Sequence, residues 1–226
     1  MSGYLAGNAV LFSEMSPPAA EEAAFNSWYD EEHIPIRMKA PGFRSAQRYR
    51  DGDQRNYLAV YELDDAGALN TPEYARIKGE PSDTTRHMLG AVSGFTRYIG
   101  TLLGEPLVQP GADFLAAPVL YAVFFTVPED SLAEFDAWYC DDHVPLLLSD
   151  PRWIGTRRFA IRDGIPEGYN RLALHHLADR KVLDSEAREK ARATPWRARL
   201  AQQPWFRGNY LVFDSLGPRQ TARNDR

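Results

Sequence analysis

Cysteine is nearly absent: Cys140 is the only one in 226 residues, which rules out an intrachain disulfide framework and makes a reducing compartment the natural expectation. Lysine is scarce too, since only four of the 26 basic residues are lysines. A formal net charge of -5 with no long basic run argues against nucleic acid as a partner, because phosphate binding needs a concentrated positive face. The longest apolar stretch, around 114–127, contains Pro118 and Thr126 and is too short to span a bilayer. The N-terminus lacks a charged segment followed by a sustained apolar run, so no signal peptide and a cytoplasmic location are expected. The chain also has no glycine-rich phosphate loop and no GxSxG nucleophile elbow. No histidines and carboxylates have the spacing of a dedicated metal site, and no metal or cofactor is expected.

What the sequence does have is a repeat. Residues 25–35 read FNSWYDEEHIP, and residues 135–145 answer with FDAWYCDDHVP. Trp28 and Trp138, Tyr29 and Tyr139, His33 and His143, and Pro35 and Pro145 all pair at one offset of 110. Such self-similarity signals a duplicated unit. A buried strand over 8–14 and a helix over 19–34 lead into a hairpin, with strands over 43–50 and 56–63 around a polar turn at 51–55. Thr71 and Pro72 then suit the start of a second helix, and 95–103 completes the half as a strand. The order βαββαβ is that of a ferredoxin-like unit. The second half repeats it with strands over 119–127, 153–161, 170–177 and 206–213, and helices over 131–144 and 183–202. Four extra residues lengthen its hairpin near Gly164 to Gly168. The halves are expected at 1–104 and 118–216, with a proline-containing linker over 105–117 and a polar, frayed tail over 217–226.

Each unit carries Trp-Tyr, an acidic stretch, His, an apolar residue and Pro, and the first adds Pro41, Gly42 and Phe43. This combination resembles the EthD-like branch of the dimeric α/β-barrel superfamily over most of the chain. The resemblance implies an α+β protein in which two ferredoxin-like βαββαβ repeats pack sheet to sheet on one polypeptide, as an intramolecular dimeric α/β barrel around a small-molecule cavity. The second copy departs from the pattern with Pro151, Arg152 and Trp153, and has Cys140 where the first has Asp30. Relatives include cofactor-free monooxygenases, polyketide cyclases, muconolactone isomerases and haem enzymes, and the sequence carries no axial-ligand signal for haem. The methylmuconolactone isomerase group suggests a cofactor-independent isomerase or lyase that uses histidine acid-base chemistry on a small aromatic-derived acid or lactone. The alternatives are a cofactor-free monooxygenase and a non-catalytic small-molecule-binding accessory protein. The partner expected is a small molecule, with association of the pseudo-dimeric chain into a homo-oligomer as a further expectation.

Within the motif, Phe25, Tyr29 and His33 share one helix face. His33 and His143 are the candidate proton carriers, and Tyr29 and Tyr139 the candidate donors to a developing oxyanion. Trp28, Trp138, Arg48, Arg158, His175 and His176 are the candidate substrate contacts. Arg48 and Arg158 match on the second strands, while the adjacent His175 and His176 must point to opposite sheet faces. The competing reading is structural: a histidine in a last helical turn suits the negative helix end, and Pro35 stops the helix. Cys140, beside Asp141 and Asp142, reads as an inert thiol.

Overall fold

The computed structural model describes residues 5–52 and 55–222, so Asp53 and Gln54 of the expected turn and the last four residues of the tail lie outside it. The described residues divide into two compact units. The first comprises residues up to Thr101 together with Arg162–Pro166 and the chain from Ser215. The second comprises Leu102–Ile161 and Glu167–Asp214.

In the first unit β1 (Ala9–Ser16), β2 (Phe43–Arg50), β3 (Tyr57–Leu63) and β4 (Ser93–Leu102) form an antiparallel sheet in the order β4-β1-β3-β2. The register pairs Leu11 with Tyr61 across β1 and β3. Alternate residues of these strands, among them Leu11, Met15, Ala59 and Tyr61, pack with Phe25, Trp28 and Ile34 in one core. The helices that cover this face are α1 (Glu22–Trp28), α2 (Ile34–Arg37), α3 (Pro72–Gly79) and α4 (Asp83–Ala91). Side-chain caps fix their starts. The Thr71 hydroxyl accepts from Tyr74 N–H and that of Ser82 from Thr85 N–H, and each such cap contributes about 1 kcal/mol.

The second unit repeats the plan with β5 (Leu107–Val108), β6 (Val119–Phe125), β7 (Trp153–Ile165), β8 (Arg171–Leu177) and β9 (Asn209–Thr221), ordered β9-β6-β8-β7-β5. Its helices are α5 (Leu132–Trp138), α6 (Val144–Leu147), α7 (Glu186–Arg192) and α8 (Pro195–Leu200). Ser185 and Thr194 cap α7 and α8 as Thr71 and Ser82 cap their counterparts. The architecture is α+β with two ferredoxin-like βαββαβ repeats, as the pattern of elements implied.

Three local features differ from expectation. The first helix does not stop at Pro35. Residues Tyr29–His33 form a π-helical turn in which Ile34 N–H reaches back five residues to the Tyr29 carbonyl, and α2 continues beyond it with Pro35 in its first turn. A wider turn tolerates the proline because the missing N–H would have been aimed at the Asp30 carbonyl, and that carbonyl accepts instead from Gln220 Nε2 at 3.1 Å. The same turn recurs at Tyr139–His143, where Val144 N–H reaches the Tyr139 carbonyl. The tail is not frayed as far as it is described. Residues 217–221 belong to β9, and Ala222 N–H donates to the Arg44 carbonyl at 2.9 Å. Finally, the segment read as a linker contains β5, which pairs with β7 through Leu107 and Thr156.

Candidate functional site

In the second unit a cavity of about 240 Å³ lies between the sheet and its own helices. Strand alternation turns Tyr121, Val123 and Phe125 of β6 toward it, β8 contributes His175, and the π turn places Tyr139 and His143 along one side. Without the extra residue of that turn, the α-helical spacing would rotate everything beyond it by about 100°.

The hydrogen bonds of His175 define its tautomer. Trp153 Nε1–H donates to Nδ1 at 3.1 Å, and an indole nitrogen can only donate. Nδ1 therefore bears the lone pair and the proton sits on Nε2, which lies 2.8 Å from the Tyr139 hydroxyl. Thr156 Oγ1 also approaches Nδ1, at 2.8 Å. His175 thus donates to the Tyr139 oxygen, leaving the phenolic proton for another acceptor. Burial, then His143 and Arg188, hold the His175 imidazole well below the usual histidine range, and burial holds the Tyr139 phenol well above its own. Both groups are neutral at physiological pH.

His143 has the opposite tautomer. Its Nδ1 lies 3.2 Å from the Ala191 carbonyl, which can only accept, so the proton is on Nδ1 and Nε2 keeps the lone pair. The ring stacks on Trp138 at 4.7 Å between centroids. Burial lowers its pKa to about 4 against the opposing effect of the Ala191 bond. An unprotonated base nitrogen thus lines the same cavity as a phenolic donor.

Arg188 and Arg192, four residues apart on one face of α7, and Arg197 of α8 line the remaining side. Among the described residues none of the three forms an ion pair. Burial and then Arg192 lower the Arg197 pKa, a sign that the cluster lacks a counter-charge. Three guanidiniums without carboxylates in an aromatic-walled cavity favour an anionic ligand.

The first unit offers a related cavity of about 370 Å³. Tyr29 and His33 line it, their ring centroids 4.7 Å apart, and the His33 ring lies 4.3 Å from that of Trp28. His33 Nδ1 is buried and has no hydrogen-bond partner, and burial, then Arg37 and Arg48, hold its pKa well below normal. Tyr61 occupies the place of His175, and its hydroxyl interacts with that of Tyr29 without a close hydrogen bond.

The other expected contacts are placed differently. Trp138 lines the second cavity, but Trp28 Nε1 is spent on Thr85 Oγ1 at 3.0 Å. Arg48 is buried, donates to Asp30 Oδ2 at 2.9 Å and lies 4.7 Å from the Tyr29 ring centroid, so it anchors the π turn. Arg158 donates to the Asp136 carbonyl at 3.1 Å and does not line the 240 Å³ cavity. His176 is on the opposite sheet face from His175, 5.1 Å from the Phe114 ring. The Cys140 thiol is raised by burial and by Asp141 and Asp136, in keeping with an unreactive thiol. Sequence reading did not single out Arg188, Arg192, Arg197, Tyr121 or Tyr210. The two arginines at i and i+4 opposite Tyr74 and Lys78 of the first half were the available signal.

No family profile matches the chain, and no curated protein matches it. Solved structures do. An anthrone oxidase-like protein aligns over 95% of this chain and 93% of its own at a TM-score of 0.67 and 12% identity. A "putative monooxygenase" from Fusobacterium nucleatum subsp. nucleatum aligns over 96% and 95% at 0.61 and 8% identity. Another "putative monooxygenase", from Lactobacillus acidophilus, aligns over 95% and 97% at 0.59 and 10% identity. At these identities the likeness is one of fold alone.

Proposed function

We propose that the second unit is the active site of a cofactor-independent oxidoreductase that oxygenates an aromatic substrate through its enolate or phenolate. The observation that carries this reading is the convergence, in one cavity of about 240 Å³, of an unprotonated His143 nitrogen, the Tyr139–His175 pair and three unpaired arginines. The names of the fold relatives, an anthrone oxidase-like protein and two "putative monooxygenases", support oxygen chemistry over the isomerase or lyase chemistry expected from the motif.

In this reading the substrate carries an activated methylene next to an aromatic ketone. His143 Nε2 removes a proton, and the charge that develops on oxygen is held by Arg188, Arg192 and the Tyr139 O–H. The arginines matter because a conjugate acid with a pKa of about 4 cannot drive the transfer alone. The electron-rich enolate then reacts with dioxygen. One oxygen atom becomes the new carbonyl and the other leaves as water with the two methylene hydrogens, so the substrate supplies every electron and no external reductant is required. An isomerase or lyase would share the proton transfer and consume no oxygen.

The test is turnover of an anthrone-type substrate in an oxygen electrode. Wild-type protein is expected to take up one dioxygen per substrate, and His143→Gln to slow turnover by about 100-fold or more. Product formation without oxygen uptake would transfer the assignment to isomerisation or elimination.

A further inference from the structure

Six large apolar side chains are exposed among the described residues, and three of them line the 370 Å³ cavity of the first unit: Leu89 at 40%, Phe95 at 42% and Ile165 at 49%. Scattered singly, such residues are ordinary. Gathered on one cavity, they mark a surface for an apolar ligand to cover. They come from α4, from β4 and from the last residue of β7, which belongs to the first unit, so no single helix face or strand alternation accounts for their meeting. Met15 of β1 adds a buried aliphatic surface to the same cavity. Its volume falls in the range of small-molecule sites, roughly 300–1,000 Å³.

The same cavity carries positive charge that the protein leaves unmatched. Arg37, Lys78 and Arg97 line it, and no aspartate or glutamate does. Arg97 is paired with Asp163 at 2.8 Å, whereas neither Arg37 nor Lys78 forms an ion pair among the described residues. Arg37 Nη1 donates to the His33 carbonyl at 2.8 Å. That bond holds the guanidinium in place and leaves its other N–H groups for a ligand. Lys78 is exposed and reaches the cavity from α3. Glu32, which does not line the cavity, accepts from the Ser82 and Thr85 hydroxyls.

We infer that the first unit binds an amphipathic anion, a carboxylate on an aliphatic chain, with Arg37 and Lys78 holding the carboxylate and Leu89, Phe95 and Ile165 covering the chain. A small carboxylate would leave the apolar rim in water, and an uncharged chain would leave both cations unmatched, so the ligand needs both parts. This site does not depend on the reaction proposed for the second unit.

Photolabelling of the full chain tests it, because the position of the label identifies the cavity whatever else the probe binds. The probe is decanoate with a diazirine at the chain end, and the matching decanol is its uncharged control. Trypsin cuts after Arg86 and Arg97 and so releases residues 87–97, which contain both Leu89 and Phe95. Decanoate probe is expected to label this peptide, with plain decanoate competing and octanoate competing about tenfold less well, the effect of two lost methylenes. The decanol probe, and the decanoate probe on Arg37→Gln/Lys78→Gln protein shown by a thermal melt to be folded, should label it about tenfold less, the effect of a lost charged hydrogen bond. Arg192→Gln/Arg197→Gln in the second unit should leave labelling of 87–97 unchanged. The proposal is overturned if the label is confined to other peptides, if plain decanoate does not compete, or if decanol or the folded Arg37→Gln/Lys78→Gln protein gives equal labelling.

Discussion

His143 and His175 lie in the same cavity wall with opposite tautomers, and the difference is set by single neighbours: a carbonyl that can only accept and an indole that can only donate. If His143 is the base, kcat/KM is limited on the acid side by its protonation. The limb of the pH–rate profile is expected near pH 4, where burial has moved the group, and not near the ordinary 6.5. An acid limb at pH 6 to 7 would remove His143 from that role. Trp153→Phe deletes the N–H that fixes the His175 tautomer, so kcat should fall about tenfold or more with KM nearly unchanged. A rise in KM alone would assign Trp153 to substrate contact. Tyr29, His33, Tyr139 and His143 were legible as a set because the repeat printed them twice. The three arginines were not: their one signal, Arg188 and Arg192 at i and i+4 where the first half has Tyr74 and Lys78, does not by itself tell an arginine that faces a cavity from one that faces solvent.

At the scale of elements, the π turn is what aims the histidine. Deleting Asp141 should convert Tyr139–His143 to α-helical spacing and rotate the following chain, abolishing turnover while circular dichroism retains its helical signal. Retained activity would show that the turn is incidental. Arg48 ties the equivalent turn in the first unit to β2 through Asp30 and Asn26. Arg48→Met should lower unfolding stability by about 2 kcal/mol, a moderate cost because Asp30 is half exposed and rehydrates. A chemical melt measures it, and turnover in the second unit should not change. Pro35 predicts a helix end from its missing N–H, and that inference fails because Gln220, 185 residues further along the chain, takes the carbonyl that the proline leaves unpaired. A partner so distant in sequence cannot be read from local pattern. The same limit applies to β7 and β9, which run on to Ile165 and Thr221 beyond the strands expected at 153–161 and 206–213. The β2 strand, by contrast, was legible to the residue, because its alternation and its turn residues agree.

For the whole molecule, His33, His143 and His175 are all held neutral by burial, with pKa values below the unfolded value of about 6.5. Below pH 6.5 the unfolded chain binds protons that the folded chain does not. Stability is therefore full above that pH and declines as pH falls toward 4 and beyond, with His143 alone accounting for about 3 kcal/mol by pH 4. Glu14, raised by burial, acts in the opposite sense. Urea melts at pH 7, 5.5 and 4.5 should show a falling midpoint, with a shallower decline in His143→Gln. The duplicated architecture was legible in the sequence because both halves keep the same order of caps, turns and alternating strands; the divergence of their cavities lies in side chains that only the fold brings together. The central claim is that the second cavity uses His143 to form an enolate that dioxygen consumes. The most direct test is to follow an anthrone-type substrate and labelled dioxygen together in wild-type and His143→Gln protein. One labelled oxygen atom should enter each product molecule, with uptake and product formation lost together in the variant. Unlabelled product, or equal turnover by a folded His143→Gln protein, would contradict it.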